Sequence, residues 1–226
     1  MAEGIFASGV DLVAPDGRVI LKGAGFEMPE GGRGWIEGPP GSGKRAVLKV
    51  LAGLLPPQSG EVRLRGERLW PGGGISALGA RTRLGFGFPQ GGLLSNQSLR
   101  DNLALPLRFI GRKGKELDEA VDSVLDRLGL SEDAPHRPHA LSVRIRQLAQ
   151  LARIELLQPQ VIFMSEPFTD LEGPDLAHAE TLLGEWNQDP TRLILVSSEK
   201  IQPGLFNGLQ RFRLETGKLH AVEGAP

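Results

Sequence analysis

The 226-residue sequence contains no cysteine. This absence excludes disulfides, thiol catalysis and cysteine–zinc sites, and it suits a reducing compartment. No stretch approaches the roughly 18 uncharged apolar residues that a membrane-spanning helix needs, so we expect any membrane role to depend on a partner. The opening residues MAEGIFASGV lack the basic start and the long apolar run of a signal peptide, and we expect none.

An excess of charge of one sign is also missing. The chain has 26 Lys and Arg against 27 Asp and Glu, a net charge of −1, so its overall field gives no reason to expect nucleic-acid binding. His136 and His139 have an H-x-x-H spacing, but Pro135 and Pro138 place them in a loop and no third ligand is evident. We therefore predict no metal site there.

Two apolar runs, Val161–Met164 and Leu193–Val196, are typical of strands that are covered on both faces. Amphipathic stretches alternate with such runs, which predicts a mostly parallel sheet. Near the N-terminus, a proline–glycine turn at residues 14–17 separates apolar segments and predicts an antiparallel hairpin. Helices are predicted over residues 45–55, 116–128, 142–157 and 176–186, the first ending at Pro56-Pro57.

The segment at about residues 96–150 is helical in pattern and interrupts the alternation of strands and helices. We therefore expect one domain, residues 1–226, whose core is formed by residues 1–95 and 151–226. The middle segment, 96–150, is expected to form an inserted helical subdomain.

A glycine-rich loop with the sequence GPPGSGK follows the short apolar strand at Trp35-Ile36 and precedes the first helix. It fits G-x-x-x-x-G-K in the strand–loop–helix context that this phosphate-binding motif requires. Glycines let backbone N–H groups turn toward phosphate oxygens, and the helix N-terminus adds partial positive charge. The predicted nucleotide-binding residues are Gly38, Pro39, Pro40, Gly41, Ser42, Gly43, Lys44, Arg45 and Ala46.

From this loop onward, five landmarks follow the order and spacing of ABC-transporter ATP-binding subunits, and the chain resembles that family over nearly its whole length. The family's strand after the first helix resembles Gly60–Gly66, and its glutamine loop falls at Leu84–Pro89. Its LSGGQ signature begins at Leu141-Ser142, its Walker B strand matches Val161–Pro167, and its switch-histidine strand matches Ile194–Glu199. The resemblance implies an α/β fold: a P-loop NTPase core with a mostly parallel sheet, an N-terminal antiparallel β subdomain and an inserted α-helical subdomain. It implies ATP as the cofactor.

The residues that hold Mg²⁺ in the family are both changed. The position after Lys44 is Ser or Thr in the motif, where its hydroxyl binds Mg²⁺, but here it is Arg45, which has no acceptor. The Walker B strand of the family ends in Asp-Glu, whereas this chain has Ser165-Glu166. Glu166 remains as a possible residual base. Position 45 gains a positive charge and position 165 loses a negative one, so Mg²⁺ binding is doubtful.

Four further features depart from the family pattern. Pro89 stands where the glutamine is expected, with Gln90 one position late, and Ser198 occupies the switch-histidine position. The aromatic residue that stacks on adenine falls at Ala14, for which Phe6 or Phe26 could substitute. The signature reads Leu141, Ser142, Val143, Arg144 and Ile145, without the two glycines that let backbone amides approach the nucleotide of the opposite subunit.

The resemblance predicts a transporter subunit that binds nucleotide, couples to a membrane permease and hydrolyses ATP poorly. One alternative is an active ATPase with unusual metal ligands, because Lys44 and Glu166 are retained. Another is a non-catalytic soluble scaffold or regulatory protein on the same fold, which would need no nucleotide.

The partners implied are an integral-membrane permease and a second ABC subunit, in a homodimer or a heterodimer. The expected location is cytoplasmic, on the inner face of the cell membrane. Residues 91–107 look most like ATPases of Mla/Mce-type phospholipid transporters, which suggests lipid transport. The permease groove would lie at about residues 88–110, with the apolar side chains of Leu103, Leu105, Leu107, Phe109 and Ile110.

Overall fold

The computed structural model describes residues 3–78, 82–88, 92–199 and 208–222. Pro89 and Gln90, predicted at the glutamine loop, lie outside these residues. The strands are β1 (Glu3–Val13), β2 (Val19–Pro29), β3 (Arg33–Glu37), β4 (Ser59–Leu64), β5 (Glu67–Trp70), β6 (Leu84–Gly87), β7 (Val161–Ser165), β8 (Leu193–Ser198), β9 (Leu209–Glu215) and β10 (Lys218–Ala221). The α-helices are α1 (Lys44–Leu51), α2 (Leu99–Phe109), α3 (Lys115–Arg127), α4 (Val143–Leu157) and α5 (Gly173–Gln188).

The strands form two sheets. An antiparallel sheet has the order β2-β1-β4-β5, and it contains the predicted N-terminal hairpin, whose two strands are longer than the apolar runs suggested. The second sheet has the order β10-β9-β3-β8-β7-β6, and its strands pair in parallel except for β9 with β10. The predicted mostly parallel core sheet is therefore confirmed.

The parallel sheet carries an apolar core on each face because side chains alternate along a strand. On one face, Ile162, Met164 and Val196 pack in a cluster with residues of α2, α3, α4 and α5. On the other face, Phe163 and Leu195 pack with the antiparallel sheet and α1. This two-sided burial explains why β7 and β8 read as uninterrupted apolar runs in the sequence.

The first helix ends earlier than the sequence predicted. It stops at Leu51, five residues before Pro56, because Gly53 adopts a left-handed φ of 73°. The Gly53 carbonyl then accepts a hydrogen bond of 2.8 Å from the amide of Ile75. A turn at Gly53, rather than the proline pair, therefore ends the helix.

The helical segment includes α2, which the sequence placed only within a broad helical region. Ser98 caps this helix by accepting a hydrogen bond from the amide of Asp101. Farther along the chain, α4 runs without a break from Val143 to Leu157. A subdomain boundary at residue 150 would fall inside this helix, and the division at 96–150 stays a prediction.

Register brings the ends of three parallel strands together at one edge of the core sheet. Glu37, at the end of β3, pairs with Ser198 of β8, and Ser197 pairs with Ser165 of β7. The loop that follows β3 therefore lies beside the ends of β7 and β8. This is the edge where ligands bind in open α/β sheets.

We predict that Phe163→Ala lowers the free energy of unfolding by about 3–5 kcal/mol, because it leaves a cavity in a filled core. Phe163 is 0% exposed, whereas Phe109 is 87% exposed. The matched control Phe109→Ala should change stability by less than about 0.5 kcal/mol. Urea denaturation followed by circular dichroism measures both values, and equal losses would contradict the assignment of Phe163 to the core.

Candidate functional site

The glycine-rich loop leads into α1 through Gly43, which has a φ of 100°. A Cβ atom at Gly43 would lie 2.5 Å from Cγ2 of Ile20, so only glycine fits here. The first turn of α1 has no acidic residue and, among the described residues, no side chain caps it. Since the first amides of a helix lack partners within the helix, they remain available to an anion.

Lys44 is buried, and its ammonium group turns back onto the loop. It donates hydrogen bonds to the carbonyl oxygens of Gly38, at 2.6 Å, and Pro39, at 3.1 Å. Its Nζ atom also lies 3.8 Å from Oε1 of Glu166. The lysine predicted to contact phosphate is thus at the loop, beside the carboxylate that ends the Walker B motif.

Glu166 is held from several sides in a left-handed conformation with a φ of 50°. Its amide donates to the Ser197 carbonyl at 2.7 Å, and its carbonyl accepts from the side chain of Gln147. Its carboxylate accepts from the Glu199 amide at 3.3 Å. Burial raises the pKa of the carboxyl above its usual value, although the nearby charge of Lys44 opposes this change.

Residues 45 and 165, the two positions that hold magnesium in the family, do not fit that ion in this chain. Ser165 is 2% exposed, and its hydroxyl accepts a hydrogen bond of 3.4 Å from the Ser197 hydroxyl. Arg45 is exposed and offers only donors. In the part of the chain that the structure describes, no group of three or more His, Cys, Asp or Glu side chains could hold a metal ion.

A cleft of about 860 Å³ opens at this edge of the sheet. Two strand ends, the glycine-rich loop and the start of α4 line it. Its cationic side chains are Arg18, Lys44, Arg45 and Lys49; its carboxylates are Glu166, Asp170 and Glu199; its apolar wall includes Ala14, Ile20, Leu55 and Phe168. A cleft with cations around a helix N-terminus is suited to a phosphate-bearing ligand.

The ABC transporter family model matches residues 21–169, which is more than half of the chain. The chain belongs to the ABC transporter family. The lipoprotein-releasing system ATP-binding protein LolD of Idiomarina loihiensis is 31% identical over 207 residues, covering 91% of this chain and 90% of that protein. The cell division ATP-binding protein FtsE of Escherichia coli is 27% identical over 208 residues, covering 92% and 93%.

A solved structure of the ATP-binding cassette MJ0796, a dimer in a post-hydrolysis state bound to ADP and Pi, has the same fold. Its TM-score is 0.85 at 23% identity, covering 98% of this chain and 100% of that one. The predicted fold class of an ABC cassette is thereby confirmed. The finer likeness to Mla/Mce-type phospholipid transporters is not confirmed by these relatives. No helix within the described residues is long and apolar enough to cross a membrane.

The residues of the ABC signature region have mostly structural contacts in this chain. Leu141 and Ile145 are buried, and Ser142 caps α4 by accepting from the Ile145 amide at 3.3 Å. Arg144 forms an ion pair of 2.7 Å with Asp175 of α5. Val143 is 41% exposed and lines the cleft of its own chain. What these side chains face in an ABC dimer stays a prediction.

The structure adds cleft residues that sequence reasoning missed. Arg18 extends from the N-terminal hairpin and donates to the carbonyl of Gly41 in the phosphate loop. Nothing in the local sequence signals this contact, since the two residues are far apart along the chain. Lys49 lies one helical turn after Arg45 and lines the same cleft, so helical spacing could have found it.

The two phenylalanines proposed as substitutes for the adenine-stacking aromatic do not line the cleft. Phe26 is buried and packs against Phe212 with a ring-centroid distance of 4.5 Å, so this suggestion was wrong. Ala14, at the position where the family has its aromatic, does line the cleft. Among the described residues that line the cleft, Phe168 is the aromatic one, and its ring stacks on Trp35.

Glu37, the residue before the phosphate loop, pairs with two arginines of β9. Its carboxylate accepts from Arg211 at 2.9 Å and from Arg213 at 2.8 Å. Burial favours a higher pKa for this carboxyl, but the hydrogen bonds and charges of the two arginines outweigh it and lower the pKa below its usual value. This pair of contacts anchors the beginning of the loop to the neighbouring strand.

We predict that Glu37→Gln destabilises the protein at neutral pH by about 1–3 kcal/mol, because it removes charge-assisted hydrogen bonds from a partly buried site. The lowered pKa of Glu37 means that this stabilisation is complete above the usual carboxyl pKa and is lost as the pH falls through the folded-state value. Urea unfolding from neutral to acid pH should therefore show a difference from wild type that shrinks toward acid.

We predict the opposite pH dependence of stability for Glu166→Gln. Because the pKa of Glu166 is raised, wild-type stability falls as the pH rises from the usual carboxyl pKa through the folded-state value. The variant should therefore gain stability relative to wild type toward neutral pH. If both variants lose stability in parallel at every pH, the two carboxylates do not have the environments described.

Proposed function

We propose that this chain is the ATP-binding subunit of an ABC transporter, and that it holds the phosphates of ATP at residues 38–46 but hydrolyses ATP poorly. The observation that carries the proposal is the cationic cleft at the uncapped N-terminus of α1. The relatives LolD and FtsE, whose names describe ATP-binding proteins, support the same ligand.

The residues present fit a nucleotide triphosphate. Amides of the loop and of the first turn of α1 would donate to phosphate oxygens, and the helix N-terminus would favour their negative charge. Lys44 would exchange its hydrogen bonds to Gly38 and Pro39 for bonds to phosphate, which is a short movement of one ammonium group. Ala14 and Phe168 both line the cleft, but they pack with the apolar cores on opposite faces of the sheet, so we expect a nucleobase to contact one of them and not both.

Poor hydrolysis follows from the side chains around the phosphate position. Ser165 offers a buried hydroxyl where the family has a carboxylate, and Ser198 cannot take up a proton as a histidine does. Glu166 remains, but its carboxylate accepts a hydrogen bond from the Glu199 amide and lies 3.8 Å from the Lys44 ammonium group, while Gln147 donates to its backbone carbonyl. A carboxylate held in this way is poorly placed to orient a water molecule.

We predict that Lys44→Ala weakens ATP binding at least about tenfold, because it removes a charge-assisted hydrogen bond to phosphate. Isothermal titration calorimetry measures the affinity. Lys115→Ala is the matched control, since its side chain is 89% exposed and lies on α3, outside the residues that line the cleft. If wild type and both variants fail to bind ATP in any buffer, the chain is a non-catalytic scaffold and the proposal is wrong.

For hydrolysis, we predict that wild type and Glu166→Gln release phosphate from ATP at the same background rate, measured with a coupled phosphate assay. A second candidate function is an active ATPase with unusual metal ligands, because Lys44 and Glu166 lie 3.8 Å apart. A wild-type rate that Glu166→Gln abolishes would establish that second function instead.

We also propose that the chain couples to an integral-membrane permease and pairs with a second ABC subunit, identical or related, on the inner face of the membrane. In this proposal residues 96–150 form the helical unit that meets the permease. The predicted contact set needs correction, because Leu103 and Leu107 are wholly buried in the core. Phe109 and Ile110, at the end of α2, are exposed and remain available for a partner.

We predict that Phe109→Asp reduces recovery of the chain with the permease encoded beside it at least about tenfold, because a charge replaces an apolar contact. Co-expression and detergent purification through a tag on the permease measure the recovery. Ile75→Asp makes the same change at an exposed apolar residue outside α2 and should be recovered like wild type. Equal recovery of both variants would exclude the end of α2 as the contact.

A further inference from the structure

The charges that line the cleft help to determine which ionic form of a nucleotide it attracts. Four cationic side chains line it against three carboxylates. Lys44 and Glu166 lie 3.8 Å apart and largely neutralise each other. Arg18 lies near Asp16, with 3.9 Å between its Nε atom and a carboxylate oxygen, so the remaining lining charges are the cations Arg45 and Lys49 and the carboxylates Asp170 and Glu199.

Arg45 and Lys49 lie on one face of α1, a single turn apart. Within the described ranges, neither side chain forms a salt bridge of 4.0 Å or less, although Lys49 lies over the ring of Phe88, with its Nζ atom 6.0 Å from the ring centroid. Among these residues, the Arg45 guanidinium is therefore the cation nearest the loop without an ion pair. The Arg45 charge reaches into the cleft, because it opposes the burial that raises the pKa of Glu166. Arg18 is fixed at the other side of the loop by its hydrogen bond to the Gly41 carbonyl.

We propose that the cleft binds the triphosphate of ATP without magnesium in preference to the magnesium complex, with Arg45 contacting the phosphate oxygens directly. This inference rests on the proposed function, since it names the ionic form of the ligand that the same cleft takes. Lys49 and Arg18 add positive charge on the two sides of the triphosphate.

Two physical reasons favour the metal-free form. Arginine presents a planar fork of donors that matches phosphate oxygens, and it repels a cation at the same place. Magnesium neutralises two negative charges of the triphosphate, so the complex is attracted less strongly by the unpaired charge of Arg45. The buried Ser165 hydroxyl, which supplies no charge, does not compensate for this loss.

The test is the affinity of the purified chain for ATP, measured by calorimetry in EDTA and again in excess magnesium. We expect wild type to bind at least about tenfold more tightly in EDTA, the scale of one charge-assisted hydrogen bond. The double variant Arg45→Ser with Ser165→Asp restores both family positions and should reverse the preference. Arg112→Ser, which removes the same charge from an exposed residue outside the cleft lining, should keep it.

Arg45→Lys is a second variant in case Arg45→Ser fails to fold. It retains the positive charge and loses only the planar guanidinium group. It should reduce the EDTA affinity less than Arg45→Ser while keeping the wild-type melting temperature. Wild-type binding that magnesium leaves equal or strengthens would overturn the inference and leave ATP binding intact. Failure to bind ATP in both buffers would overturn the proposed function itself.

Discussion

The parallel pairing of β3 with β8, and of β8 with β7, sets Glu37 beside Ser198 and Ser165 beside Ser197. The position of the glycine-rich loop relative to the ends of β7 and β8 depends on this register. It places the glycine-rich loop over the end of β7, and it brings the carboxylate of Glu166 within reach of Lys44. Two apolar cores, one on each face of the sheet, hold the three strands in place.

The fold could be predicted from the sequence because burial of a strand or helix produces a recognisable pattern of apolar residues. The runs at β7 and β8 are apolar throughout since both faces are covered, and the loop between β3 and α1 has a fixed spacing of glycines and lysine. The end of α1 could not be found in this way. It depends on a contact between Gly53 and Ile75, and long-range backbone contacts leave no local pattern.

The site could be predicted only in part, for the same reason. Lys44 and Glu166 were found by motif, and the structure brings them together. Arg18 reaches the phosphate loop from a distant hairpin, and the left-handed conformation of Glu166 depends on hydrogen bonds from β8 and α4. These features come from tertiary packing, so no spacing in the sequence reports them.

The ion pair between Arg144 and Asp175 joins the first turn of α4 to α5. Glycines at 143 and 144 would restore the family pattern, but they would remove this link between α4 and α5. They would also place two flexible residues in the first turn of α4, at a cost of up to about 1 kcal/mol each. Glycines at these two positions would therefore weaken the link between α4 and α5 and lower the stability of the first turn of α4.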